Sequence, residues 1–419
     1  MTVLIAGAGI GGLTTALMLH QRGIRCQVVE QAATVREVGV GINTLPHSIA
    51  ELDALGLLPR LDAVGLRTRE LRYLTRRGQE VWRELRGMHA GHDHPQFSIH
   101  RGRLQKLLFD AVIERLGPDA VHTGLRLSGF IQDEGGVTAH FTGSSDGLSS
   151  RTYRSEVLVC ADGIHSVGRR QFFPDEGPPS WPGVVMWRGA VDWPVWEDGE
   201  TMAIAGGLAG KLVLYPIAPQ KDGKQLMNWV VNVRVADPAI TPPPSESWSK
   251  LAPLARVLPY AKRFHIPGID LDALVRGSGA IYEYPMADRD PLPRWTHGRV
   301  TLLGDAAHPM YPVGSNGSAQ AILDARCLAD ALARAEHPRE ALYRYEQARL
   351  PATSEVVRTN RLGGPERVID EVEKRAPAGF DKIDDVLSHD SREAIVKGYA
   401  KMAGFAAKVV SQDETVTKH

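Results

Sequence analysis

The chain has 419 residues, 43% of them hydrophobic, enough for two medium domains or one domain with a large insertion. Lys plus Arg (49) equals Asp plus Glu (49), so no bulk charge draws nucleic acid or an anionic membrane surface. Cys26, Cys160 and Cys327 stand far apart with no C-x-x-C or Cys/His cluster, which argues against a disulfide scaffold and a metal site.

Residues 2–6 form a short apolar run, the pattern of a buried parallel strand. Its glycines and the lack of a basic leader separate this N-terminus from a signal peptide, and no apolar run is long enough for a membrane span. A cytoplasmic monomer or homodimer is expected. Next comes Gly7-Ala8-Gly9-Ile10-Gly11-Gly12, then apolar residues at helical spacing, then a second strand at 25–29 ending in Glu30. Strand, glycine turn, helix, strand and acid together make the dinucleotide fingerprint. Gly7 permits the tight turn, Gly9 lets the backbone approach a pyrophosphate, and Gly12 lets the helix pack on the strand. Amides at the helix start, around Ile10 and Gly11, would face the phosphates, and Glu30 the ribose hydroxyls of an adenosine. The fingerprint does not separate FAD from NAD.

His92 and His94 have metal-like spacing but sit among Gly, Asp and Pro, and read as a solvated loop. Residues 156–160 form another strand candidate, followed by Ala161-Asp162-Gly163 and a helix with Ser166 and Arg169 three apart. From about 180 to 275 the pattern changes to hairpin-linked strands, at 184–191, 201–206, 211–217 and 226–235. Strand period forces Trp187 and Arg188 to opposite faces, as it does Asn228 and Trp229, and leaves open which of each pair faces a pocket. Arg188 could grip an aromatic carboxylate, Tyr215 could bond a ring hydroxyl, and Trp187 or Trp229 could give a substrate platform. Gly206 to Lys211 is one residue short of a phosphate loop and reads as a hairpin, and Pro242-Pro243-Pro244 as a stiff connection. A further strand at 299–303 ends in Gly304-Asp305, so Asp162 and Asp305 both sit past the carboxyl end of a strand, where open α/β sheets bind ligands. Gly314, Ser315, Asn316, Gly317 and Ser318 then open a helix running to about residue 335, whose free amides suit the anionic edge of a reduced flavin. Residues 338–419 read as helical and charged, with no chemistry in 371–386 and a disordered tail after Val410.

The ordered set Gly7-x-Gly9-x-x-Gly12, Asp162-Gly163-x-x-Ser166-x-x-Arg169 and Gly304-Asp305 resembles the single-component FAD-dependent aromatic hydroxylases, typified by p-hydroxybenzoate and salicylate hydroxylases. GVGIN (39–43), SIHRG (98–102), MWRG (186–189), YPMADRDPLP (284–293) and GDAAHPMYPVGSNG (304–317) resemble a phenazine-modifying branch of that family. The resemblance implies a Rossmann-like α/β FAD domain (1–70, 99–180, 276–345), an inserted mixed β-sheet substrate domain (71–98, 181–275) and a C-terminal helical region (346–419). It implies that Glu30, Gly41 and Arg101 hold the nucleotide end of FAD, Asp305 the diphosphate-ribityl region, and residues 314–318 the flavin edge. Asp162 and Arg169 would serve FAD and a passing NADH or NADPH. Pro312 joins Arg188 and Tyr215 beside the reacting ring, and Tyr311 joins the substrate residues. The expected activity is hydroxylation of an aromatic or heteroaromatic substrate by O2 activated at flavin C4a, with decarboxylation of an aromatic acid as an extension. The alternatives are an FAD oxidase or dehydrogenase, and a flavin redox sensor.

Overall fold

A computed structural model describes residues 1–35, 37, 39–144, 149–237, 250–404 and 406; the triple-proline connection at 242–244 and the tail after Val410 lie outside them. The N-terminal strand Thr2–Ala6 is central in a six-stranded sheet. Arg25–Val29 and Val121–His122 follow on one side, and Val157–Cys160, Val300–Leu302 and the antiparallel edge Thr296–His297 on the other. Helices and a small antiparallel sheet pack on this sheet, so its central strands Thr2–Ala6 and Val157–Cys160 are buried and read as short apolar runs, whereas Arg25–Val29 is exposed at its start. Helix Ile10–Gln21 is buried along most of its length because it lies between that sheet and helix Gly317–Arg334. A small antiparallel sheet, Leu125–Asp133, Gly136–Gly143 and Ser150–Ser155, joins this half.

The second large sheet has seven strands, in the order Tyr282–Pro285, Val184–Pro194, Lys224–Arg234, Gly210–Pro216, Thr201–Gly207, Glu70–Leu74 and Glu80–Leu85. All neighbours run antiparallel except Thr201–Gly207 and Glu70–Leu74, which are parallel. Its edge strand Tyr282–Pro285 comes from the stretch that the sequence division assigns to the nucleotide half. The glycine-rich stretch at 206–211 closes a hairpin, with Gly207 opposite Gly210. One face of this sheet packs on helices Leu254–Ala261 and Leu271–Arg276. The other turns toward the nucleotide half and is closed partly by Arg367–Arg375 and His389–Met402. No helix among the described residues is long and apolar enough to cross a membrane.

Candidate active site

A cavity of about 830 Å³ runs from the glycine turn to the inward face of the seven-stranded sheet. Gly7, Gly9, Ile10, Gly11 and Glu30 line its first end. Gly7 has φ +108°, and a Cβ there would sit 2.4 Å from the Ala161 carbonyl oxygen, so only glycine fits. Gly12 lies behind the wall: its Cβ would fall 2.0 Å from the Gly7 carbonyl oxygen, so its part is the close packing of helix on turn. At Gly9, by contrast, no described atom lies within 4 Å of a Cβ position, leaving room for a ligand. Among the described residues no side chain caps helix Ile10–Gln21, so its first amides remain for an anion. The Glu30 carboxylate is held by the amides of Ala8 and Ala32, each at 2.7 Å.

Asp162, Asp305 and Arg101 line the middle of the cavity. Asp162 Oδ2 accepts from the Val167 amide at 2.7 Å, while its buried Oδ1 has no partner among the described residues. Burial pushes this carboxyl up, against hydrogen bonds that pull it down. Asp305 is open to the cavity and enclosed by protein elsewhere; burial raises it too, opposed by His308 and Arg101. The Arg101 guanidinium is lowered by burial, with Asp305 favouring its charge and Arg188 opposing it. The loop that carries Asp305 is fastened from behind. His308 Nε2 lies 2.5 Å from Asp324 Oδ2, and Arg349 Nε donates to Asp324 Oδ1 at 2.8 Å.

Arg169 does not reach the cavity. Its guanidinium is buried, pairs with Glu176 and donates to the carbonyls of Ala307 and Asp290, each at 2.8 Å. It braces the Asp305 loop, and its donors are spent there. Ser166 caps the short helix Val167–Phe172 through the Arg169 amide, at 3.0 Å.

Gly314, Ser315, Asn316, Gly317 and Ser318 line the cavity where helix Gly317–Arg334 begins, and Pro312 stands beside them. Gly314 and Ser315 have φ of +63° and +59°. Ser315 is thus held in a conformation that non-glycine residues rarely adopt. Tyr311 is buried but does not line the cavity, and its carbonyl accepts from Asn360 Nδ2 at 3.1 Å.

The inward face of the seven-stranded sheet places Met186, Arg188, Met202, Ile204, Tyr215 and Asn232 on the cavity wall. An Arg188 terminal nitrogen donates to the Gly41 carbonyl at 2.5 Å, and its positive charge acts on the Tyr215 phenol. Burial pushes the Tyr215 phenol up, and Arg188 pulls it back. Trp187 and Trp229, expected as substrate contacts, occupy the opposite face, both 0% exposed. Their indole nitrogens donate to Glu283 Oε2 and Ser278 Oγ, each at 2.8 Å, so both are satisfied core residues. Gly41 also sits behind the wall: its amide donates to Asn228 Oδ1 at 2.7 Å, and a Cβ would meet the Tyr215 ring at 2.8 Å. His94 lies by Asp53, its Nε2 3.3 Å from Oδ2.

Polar residues of the wall that the sequence does not single out include Glu84, Arg86, Asn232, Glu366 and Tyr399. Glu84 pairs with Arg86 and accepts from Tyr73 at 3.1 Å; Glu366 pairs with buried Lys211. Asn232, flanked by Val231 and Val233, is marked as a one-faced strand residue; Glu84, between Arg83 and Leu85, is not. Glu366 and Tyr399 carry no comparable signal.

A fold with two large sheets, a dinucleotide turn, two strand-end aspartates and a largely apolar cavity wall defines a class, and a family model described as an FAD binding domain matches residues 1–360. The chain belongs to the single-component FAD-dependent aromatic monooxygenase family. It is 46% identical over 363 residues to the phenazine 1,6-dicarboxylic acid hydroxylase PhzS of Lysobacter antibioticus, covering 86% of this chain and 89% of that one. The 3-amino-4-hydroxybenzoate 2-monooxygenase PtnB3 of Streptomyces platensis is 34% identical over 373 residues, covering 87% and 88%. In fold it is similar to Klebsiella pneumoniae HpxO complexed with FAD and uric acid, with TM-score 0.74, 22% identity and 97% of each chain covered.

Proposed function

We propose that this FAD-dependent monooxygenase hydroxylates a fused, nitrogen-containing aromatic acid, taking electrons from NADH or NADPH. The observation that carries this reading is the continuity of one cavity, from the Gly7–Glu30 end to the Arg188–Tyr215 wall. Similarity to a phenazine 1,6-dicarboxylic acid hydroxylase supports the substrate class.

When bound, FAD would supply the activation of O2 by electrons drawn from the nicotinamide. The residues present fit it. Glu30 would take the ribose hydroxyls, and Arg101 with the open helix amides would take the diphosphate. Asp162 Oδ1, buried and unpartnered among the described residues, and Asp305 would accept from the ribityl hydroxyls. The turn at 314–318 would face the ring edge with its amides, and Pro312 would flank it.

The chain's own part is positioning and electrostatics. Arg188 would hold the substrate carboxylate by charge-assisted hydrogen bonds. Tyr215 would bond a ring hydroxyl or ring nitrogen, its raised pKa keeping it a proton donor through neutral pH. Met186, Met202 and Ile204 would cover the faces of the fused ring and keep water out. Hydroxylation at a carboxyl-bearing carbon would release that carboxyl as CO2.

The test is turnover under isotopically labelled O2 with phenazine carboxylic acids and monocyclic hydroxybenzoates. One labelled oxygen in the phenazine product supports the reading; hydrogen peroxide as the sole oxygen product, with every substrate left unlabelled, overturns it.

A further inference from the structure

The C-terminal helix His389–Met402 carries no motif, yet its Tyr399 reaches the cavity wall beside the 314–318 turn. Tyr399 is 4% exposed, and its hydroxyl is bonded on two sides. Asn316 Nδ2 donates to it at 2.8 Å, and it donates to Asn360 Oδ1 at 2.7 Å. Val313 O, at 3.3 Å, is the weaker acceptor.

The direction of these bonds is forced, because the neighbours leave each amide one orientation. Arg349 can only donate, and it does so to Gln320 Oε1 at 2.5 Å. Gln320 Nε2 must then donate to Asn316 Oδ1, at 3.2 Å, which turns Asn316 Nδ2 toward Tyr399. At the far end, Asn360 Nδ2 donates to the Tyr311 carbonyl at 3.1 Å, so its Oδ1 must accept from Tyr399. A single polarised chain runs Arg349, Gln320, Asn316, Tyr399, Asn360, Tyr311, with one donor facing one acceptor at each link.

The turn it holds needs holding. Gly314 and Ser315 both have positive φ, and Asn316 Nδ2 also reaches the Gly314 carbonyl at 3.2 Å. Gly314 lies flat on the tyrosine: a Cβ there would come within 2.4 Å of the Tyr399 hydroxyl oxygen. Backbone in sparsely populated regions persists only where its surroundings over-determine it.

We infer that Tyr399 is a positioning residue for the flavin, acting through Asn316 to set the turn whose amides face the ring. The C-terminal helix is therefore part of the cofactor site. This rests on the placement of the ring at 314–318 proposed above.

The experiment compares Tyr399→Phe, Asn316→Ala and the double variant in the full-length holoenzyme, measuring FAD dissociation constant, flavin absorption spectrum and flavin midpoint potential. Arg392→Met serves as a stability control, since Arg392 binds Asp384 and the Leu387 carbonyl at the start of the same helix, outside the cavity wall. Tyr399→Phe keeps the ring and is expected to weaken FAD binding about tenfold. It should also shift the spectrum and potential, and the double variant should add little beyond either single change. Arg392→Met should lower the thermal midpoint with an unchanged spectrum and potential. If Asn316→Ala perturbs the flavin while Tyr399→Phe does not, or if their effects add fully, the positioning role is overturned and the ring placement stands. If Asn316→Ala leaves binding, spectrum and potential unchanged, the ring placement itself falls, and this inference with it.

Discussion

The two faces of the seven-stranded sheet are built from alternating residues of the same strands, and they do opposite work. The outward face is dry: Trp187, Trp229, Leu212 and Leu214 pack against two helices, and each indole N–H is satisfied within the core. The inward face mixes apolar side chains with Arg188, Tyr215 and Asn232, whose bonding capacity is only partly used. Among the described residues, Arg188 Nε and Asn232 Oδ1 are buried with no partner. Gln225 Oε1 on the outward face is also unpartnered among the described residues, so what sets the inward face apart is that its open capacity, on Arg188 and Asn232, lines the cavity where a ligand would meet it.

The largest effect expected is on the outward face. Trp229→Ala should cost about 3–5 kcal/mol of stability, the usual range for truncating a buried Trp. Urea unfolding checks this, and the folded fraction should keep its affinity for substrate. Arg188→Met, on the inward face, should do the reverse. Substrate binding should weaken by about 1.5–3 kcal/mol, the scale of hydrogen bonds to charged groups, while the urea midpoint moves little. Equilibrium titration of the oxidised holoenzyme with substrate measures it. If Arg188→Met mainly unfolds the protein and Trp229→Ala mainly spares it, the contrast between faces is broken.

Gly189 sharpens the contrast within one strand. It neighbours Arg188 but belongs to the outward face, where a Cβ would come within 2.6 Å of the Trp229 ring. Gly189→Ala should destabilise by about 1–3 kcal/mol through overpacking, read as a lowered urea midpoint with substrate affinity retained. Tyr215→Phe should lower kcat/KM about tenfold, roughly 1.4 kcal/mol for a lost hydrogen bond to substrate, with little change in unfolding.

The smallest effect concerns pH and neither face of the sheet. Burial, aided by Arg349, lowers the His47 imidazole to about 4; burial, aided by Arg294, lowers His297 to about 4. The unfolded chain binds these protons near the ordinary value of 6.5, before the folded protein does. Stability is therefore full above that pH and declines as pH falls toward 4. His297 is only partly buried, which keeps its share of the decline modest. Thermal midpoints taken across that range should fall less in a His297→Gln variant than in the wild type.

Much of this was legible in the chain because some features are written locally. Gly7, Gly9 and Gly12 stand at fixed spacing between a strand and a helix; Gly7 and Gly12 have steric reasons within the turn, and Gly9 leaves space open for a ligand. The hairpin strands announce themselves by their turn signals, and strand period alone states that Trp187 and Arg188 oppose one another. Which one faces the cavity depends on what lies across each face, and that is decided by residues far along the chain, such as Ser278, 49 positions from Trp229, and Glu283, 96 from Trp187. Arg169 was misread for the same reason: its motif position is right, but Glu176 and the carbonyls of Asp290 and Ala307 take its donors. Tyr399 had no local signature at all. Its function is a property of the chain of amides it completes, and those residues are brought together only by the packing of three helices.

The most direct test of the central claim is rapid-mixing reduction of the FAD-loaded protein by NADH and by NADPH, with and without phenazine carboxylic acids. The account predicts that one nicotinamide reduces the flavin, that an aromatic acid speeds this sharply, and that Arg188→Met removes most of the acceleration. Failure of either nicotinamide to reduce the flavin under any of these conditions would contradict it.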